Sequence, residues 1–279
     1  MTIAGLISDA APSLTPSERR VGDAVARDPQ AVAFGTVAEL AARAGTSGPT
    51  VVRFAAKLGF SGFGELQAGV QAEIADALRP AAARIRERPA GSVLERALDA
   101  DLDNVRATFA AIAPDDFAAA TDLVARANRV FVLAGEIARG TGITLVTQLD
   151  LLRDGVVLVG GTPVRVARAL ADAGPNDVLV AIEHRRYERW LLDALDDARR
   201  RALPIIALTD RALSPVALDA RHAFVVAARG AGPFDSHTAT TALVHALAAG
   251  VAARLRRGAT ARLDAVELAW VAGDVLVDG

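Results

Sequence analysis

Residues 36–60, TVAELAARAGTSGPTVVRFAAKLGF, constrain this chain more than any other stretch, because they write a helix, a tight turn and a second helix in direct succession. Apolar Val37, Leu40, Ala41 and Ala44 recur at helical spacing, Gly45 closes the first helix, and Ser47 stands at the N-cap of the next. Pro49 falls in the first turn of that second helix, where its missing N–H leaves no bond unmade. Along it Val51, Phe54, Ala55 and Leu58 make one stripe expected to be buried, while Thr50, Arg53 and Lys57 share another face at spacings of three and four. A helix with an apolar back and a Ser/Thr/Arg/Lys front fits a major groove, so Thr36, Arg43, Ser47, Thr50, Arg53 and Lys57 are the candidate DNA contacts. Two packed helices with a solvated polar face read the same way, and this window alone leaves both readings open.

The flanks narrow the choice. Upstream, the N-cap candidate Thr15 is followed by Pro16 in the first turn and by Glu18 three residues after the cap. Downstream, LGFSGFGELQ follows the reading helix without a gap. In this order the residues resemble the N-terminal domain of the RpiR family of bacterial transcriptional regulators. That family carries Thr-Val-Val-Arg-Phe and then Leu-Gly-Phe in its reading helix, found here at 50–54 and 58–60. The resemblance spans residues 14–74 and implies a helix-turn-helix head on a double-stranded DNA operator.

Charge limits how such a head can work. The net charge is −2 with a pI of about 6.1, and residues 1–70 hold six basic against six acidic side chains. A neutral module binds non-specific DNA weakly, so two copies on one inverted-repeat site are expected, in a homodimer or homotetramer. The length of 279 residues fits a helix-turn-helix domain over 1–77, a helical linker over 78–113 and a second domain over 114–279. The chain has no cysteine and only four scattered histidines, so neither a disulfide framework, a metal site nor a cofactor is expected. No uncharged apolar run reaches the length of a membrane span and the N-terminus lacks a basic start, which predicts a cytoplasmic protein with no membrane partner.

In the linker, Arg79, Arg84, Arg86 and Arg88 lie on a helical stretch and read either as a solvated face or as a second contact to the DNA backbone. A break at 89–91 precedes Ser92, which caps a further helix running to about Ala113, and Pro114, Asp115 and Asp116 open another. From Arg129 onward, RVFVLAG, VVLVGG, DVLVAIEH, PIIALTD and HAFVVAA alternate with helical patterns. Such alternation means a parallel sheet covered on both faces, with ligands beyond the carboxyl ends of its strands. The fold class is therefore an all-α helix-turn-helix domain followed by an α/β domain. Residues 129–257 resemble the sugar isomerase (SIS) fold, which implies a five-stranded parallel sheet flanked by helices that senses a small molecule.

The ligand loop departs from that family's pattern. Phosphosugar-binding members carry Ser-x-Ser-Gly-x-Thr after the third strand, whose hydroxyls and backbone N–H groups cradle a phosphate. Here the corresponding residues are Glu183, His184, Arg185, Arg186, Tyr187 and Glu188, and Gly135, Glu136, Ile137 and Ala138 replace a Gly/Ser-rich turn. The expected effector is a small anionic metabolite clamped by Arg139, Arg185 and Arg186. The candidate effector residues are Gly135, Glu136, Arg139, Glu183, His184, Arg185, Arg186, Tyr187, Ser236 and His237. Arg185 and Arg186 in a structural ion-pair network, and Asp235 or Ser236 as a helix N-cap, are the plain alternatives. Two other functions stay open: an isomerase using Glu183, His184 or His237 as general base, and a regulator whose second domain only oligomerises.

Overall fold

The computed structural model describes residues 3–78, 84–85, 91–212 and 214–276. The chain divides into two compact units, the first built from Met1–Ile112, Arg211–Leu213 and Val225–Ala239, the second from Ala113–Asp210, Ser214–Phe224 and Thr240–Gly279.

The first unit is helical: α1 (Ile3–Ala10), a 3-10 turn (Ala11–Ser13), α2 (Pro16–Arg27), α3 (Pro29–Phe34), α4 (Val37–Arg43), α5 (Gly48–Lys57), α6 (Phe63–Leu78) and α7 (Val93–Ala111). Its helix starts are written locally. Thr15 and Thr36 each form a capping box with the glutamate three residues on, and Ser92 accepts the Leu94 N–H to start α7. Val21, Leu40, Val51, Phe54, Ala55 and Leu66 close one apolar core, so the stripe expected along α5 is buried. Gln67 and Gln71 of α6 donate to the carbonyls of Val32, Ala33 and Gly35, which end α3 without intrahelical partners. Helix α7 grips the segment after the last strand: Asn104 exchanges two hydrogen bonds with the Arg229 backbone, at 2.7 and 3.1 Å. Of the linker arginines, Arg79, Arg86 and Arg88 lie outside the described residues. Arg84 pairs with Asp235 at 2.8 Å with 16% of its side chain exposed, so it is neither a solvated face nor a free DNA contact.

The second unit opens with α8 (Pro114–Arg126) and then alternates strand and helix: β1 (Val130–Ala134), α9 (Arg139–Asp150), β2 (Val156–Val159), α10 (Pro163–Leu170), β3 (Val178–Ile182), α11 (Arg189–Arg200), β4 (Ile205–Thr209), β5 (His222–Val225) and α12 (Thr238–Gly273). All five strands fall on the apolar runs read from the sequence. The sheet order is β2-β1-β3-β4-β5, and β1 pairs in parallel with both β2 and β3. Strands β1, β3 and β4 are buried throughout, which is why they read as continuous apolar runs rather than alternating ones.

Arg153 fastens the entry to the sheet by donating to the carbonyls of Val124, Ala125, Ala127 and Asn128, the orphaned end of α8. Among the described residues only α12 is long and apolar enough to cross a membrane. In this fold its apolar half is a packing helix. Thr241 meets Thr141 of α9, His245 meets Gln148, and a Cβ at Gly250 would lie 2.7 Å from the Thr121 side chain.

Helix α9 lies so close to β1 that a Cβ at Gly142 would stand 2.6 Å from that of Ala134. Gly142→Ala is therefore expected to lose about 1–3 kcal/mol in urea unfolding, although alanine favours a helix by nearly 1 kcal/mol. Unchanged or higher stability would mean that α9 sits further from the sheet.

Candidate DNA-reading helix and ligand crevice

Helices α4 and α5 are joined by a turn whose geometry glycine supplies. Gly45 has φ +57°, the Thr46 N–H bonds the Ala41 carbonyl at 2.9 Å, and the Gly45 N–H bonds that of Ala42 at 3.1 Å. The same double bond ends α5, with Gly59 at φ +91°. These Schellman closures satisfy carbonyls that would otherwise be orphaned and aim the chain out of each helix. Arg20 of α2 clasps the turn from outside, donating to the carbonyls of Ala44 at 3.1 Å and Gly45 at 3.3 Å.

The exposed stripe of α5 differs from the expected one. Pro49, Val52, Arg53, Ala56 and Lys57 are exposed along it, and of the expected face only Thr50 is not. Thr50 is buried, its hydroxyl bonded to Ser47 and Arg53 at 3.0 Å each, so it orders the start of the helix instead of presenting a hydroxyl. Lys57 turns back to the buried Glu18 carboxylate at 2.8 Å and to the Ser13 carbonyl at 2.7 Å. Of the other candidates, Thr36 caps α4, Arg43 pairs with Asp28 at 3.0 Å and remains 58% exposed, and Ser47 is exposed but makes no side-chain cap bond. Arg53 is exposed on the outer face of α5, with one guanidinium N–H donated to Thr50.

In the second unit the strand order reverses at β1, so the crevice opens beyond the ends of β1 and β3. Gly135 follows β1 and Glu183 follows β3. A Cβ on Gly135 would lie 1.8 Å from Glu183 Oε2, so only glycine leaves room for this carboxylate. Glu183 is 5% exposed, its Oε1 accepts the His184 N–H at 3.0 Å, and its Oε2 has no hydrogen-bond partner among the described residues. Burial, with repulsion from Glu188 and Asp210, pushes its pKa up to about 7, and the His184 and Glu188 backbone N–H groups offset only part of this.

Around it, Glu188 accepts the Glu136 backbone N–H and the Trp190 indole N–H, and Tyr187 donates to Asp210 at 2.6 Å. Arg139 and Trp190 converge on Gly160, beyond β2. His184 is buried, with Nε2 3.3 Å from the Thr240 hydroxyl. Arg185 is half-buried and Arg186 exposed. Ser236 and His237 fall in the first unit. There the Ser236 hydroxyl bonds Asp101 of α7 at 2.5 Å and accepts the Thr238 N–H, the cap alternative, and burial lowers the His237 pKa.

Residues 1–77 match the helix-turn-helix domain of the RpiR family and residues 123–250 match the SIS domain. The sugar isomerase domain of an RpiR transcription factor from Sphaerobacter thermophilus is 31% identical, with a TM-score of 0.58 over 62% of this chain and 97% of that one. The chain belongs to the RpiR family of transcriptional regulators. The regulator HexR of Pseudomonas aeruginosa is 24% identical over 73% of this chain and 71% of its own length. The NanR protein of Vibrio vulnificus, solved with ManNAc-6P, shares the fold over 99% of both chains at 18% identity, with a TM-score of 0.58.

Within this RpiR chain, sequence reasoning passed over several residues that shape the two regions. Val52 carries no polar signal, and Arg20 reads as any surface arginine because the carbonyls it bonds are set by how α2 crosses the turn. Glu188 stands in the ligand loop and Asp210 follows β4, and their approach to Glu183 depends on the pairing of β3 with β1 and β4.

Proposed function

We infer that this regulator reads an operator through the outer face of α5 and changes its hold on DNA when a small molecule enters the crevice of the SIS domain. The observation that carries the first part is the exposed stripe of Pro49, Val52, Arg53 and Ala56 above a buried core. A guanidinium suits guanine edges and valine methyls suit thymine, so this stripe has a means of base readout. Ser47, Thr36 and Arg43 flank it and are assigned to the phosphate backbone. Thr50 and Lys57 are assigned to holding the helix. Because the head is neutral, two copies on an inverted repeat are required for useful affinity, which a homodimer or homotetramer supplies.

The second part is supported by the crevice at the switch point and by NanR, a fold relative solved in complex with ManNAc-6P. The alternative of an isomerase has weaker support, because His184 Nε2 lies against the Thr240 hydroxyl and the loop after β3 holds no Ser/Thr anchor for a phosphate. The relatives HexR and the Sphaerobacter protein are named as transcription factors.

The test is selection of genomic fragments by the purified protein with Arg53→Ala in parallel. The wild type is expected to retain a few fragments carrying an inverted repeat, and the variant to lose roughly tenfold or more in affinity for them. Equal retention by the variant would remove α5 as the reading element.

A further inference from the structure

We propose that the crevice selects its ligand by an ammonium group seated on the Glu183 carboxylate, and not by a phosphate. This rests on the reading of the crevice as the sensor site and names the chemistry of what it takes.

Two backbone donors that could cradle a phosphate here are already used. The Glu136 N–H after β1 bonds Glu188, and the His184 N–H after β3 bonds Glu183. An incoming anion would have to displace two carboxylates of the chain itself and would face a third, Asp210. Glu183 is buried, yet its Oε2 has no hydrogen-bond partner among the described residues. A buried acceptor without a donor is costly, and a ligand that brings a charged donor removes that penalty. Gly135 keeps a side chain out of the same space, and Trp190 and Arg139 stand at its β2 side, near Gly160. The exposed Arg139 is the place for an acidic group on the outer end of the ligand.

Three probes that share one carbon chain separate the chemistries: glucamine, sorbitol and sorbitol 6-phosphate. Binding to the full-length protein is measured by calorimetry at about pH 8, where Glu183 is ionised. The wild type is expected to bind glucamine roughly tenfold more tightly than sorbitol, in keeping with a charge-assisted hydrogen bond. Glu183→Gln, which keeps the shape, brings that ratio to about one, and Arg139→Ala leaves it in place. A ratio unchanged in Glu183→Gln overturns the proposal. If sorbitol 6-phosphate binds most tightly and Arg139→Ala abolishes its binding, the sensor site stands and the ammonium assignment falls. If none of the three probes binds, both fall.

Discussion

Glu183→Gln is expected to unfold at higher denaturant than the wild type at pH 8 and at the same denaturant near pH 4.5. Burial and two neighbouring carboxylates raise the Glu183 pKa from 4.5 to about 7. Between these values the folded protein holds a proton that the unfolded chain releases, so stability is complete below 4.5 and declines as pH rises to about 7. Above that it levels off. A rise of this size corresponds to about 3 kcal/mol at the upper limit, and 1–3 kcal/mol is the expected gap between variant and wild type at pH 8, with roughly this spread from local relaxation. Glutamine carries no charge at either pH, so it escapes the decline. Urea titrations of both proteins across pH 4.5–8 give the gap directly, and a gap independent of pH would show that the Glu183 carboxylate is not buried as described. The same substitution is predicted to remove ligand selection, so stability and sensing change in opposite directions, as at sites where function is held at the expense of the fold.

Lys57→Ala is expected to lose about 2–3 kcal/mol of stability, whereas Arg53→Ala changes it by less than about 0.5 kcal/mol. The hydrogen bond from Lys57, followed by that from the Thr15 backbone N–H, lowers the Glu18 pKa from 4.5 to about 2. Without the ammonium, a carboxylate only 3% exposed keeps just its capping-box bonds. The figure sits below that for a fully buried pair because Lys57 itself is 36% exposed. For a depressed carboxylate the sign is opposite to that of Glu183. Its contribution is present above pH 4.5 and is lost as pH falls towards 2. A double-mutant cycle with Glu18→Gln isolates the coupling, because Gln keeps the cap acceptor while removing the charge. A Lys57→Ala protein as stable as wild type but defective on DNA would return Lys57 to the reading face.

Much of this protein follows from local rules. The capping boxes at Thr15 and Thr36, the left-handed Gly45 and the buried stripe of Val51, Phe54, Ala55 and Leu58 are set by spacings of three and four within single helices. The five strands announce themselves as β-branched runs because parallel strands are buried on both faces. The loops that bear the crevice follow from strand ends, and the loss of the phosphate hydroxyls was legible in the order of the residues. What only the tertiary structure decided is which polar groups are taken. Thr50 and Lys57 occupy helical positions fit for a groove, but α2 brings Glu18 beneath one, and the other folds onto Ser47 and Arg53. Ser236 follows the last strand in sequence yet serves α7, through Asp101 at a separation of 135 residues. Glu183 became a buried carboxylate only because β3 lies beside β1 and Gly135 has no side chain. Periodicity records which face of an element is apolar, whereas the partner of a charge is set by crossings between elements far apart in the chain, which no local pattern contains.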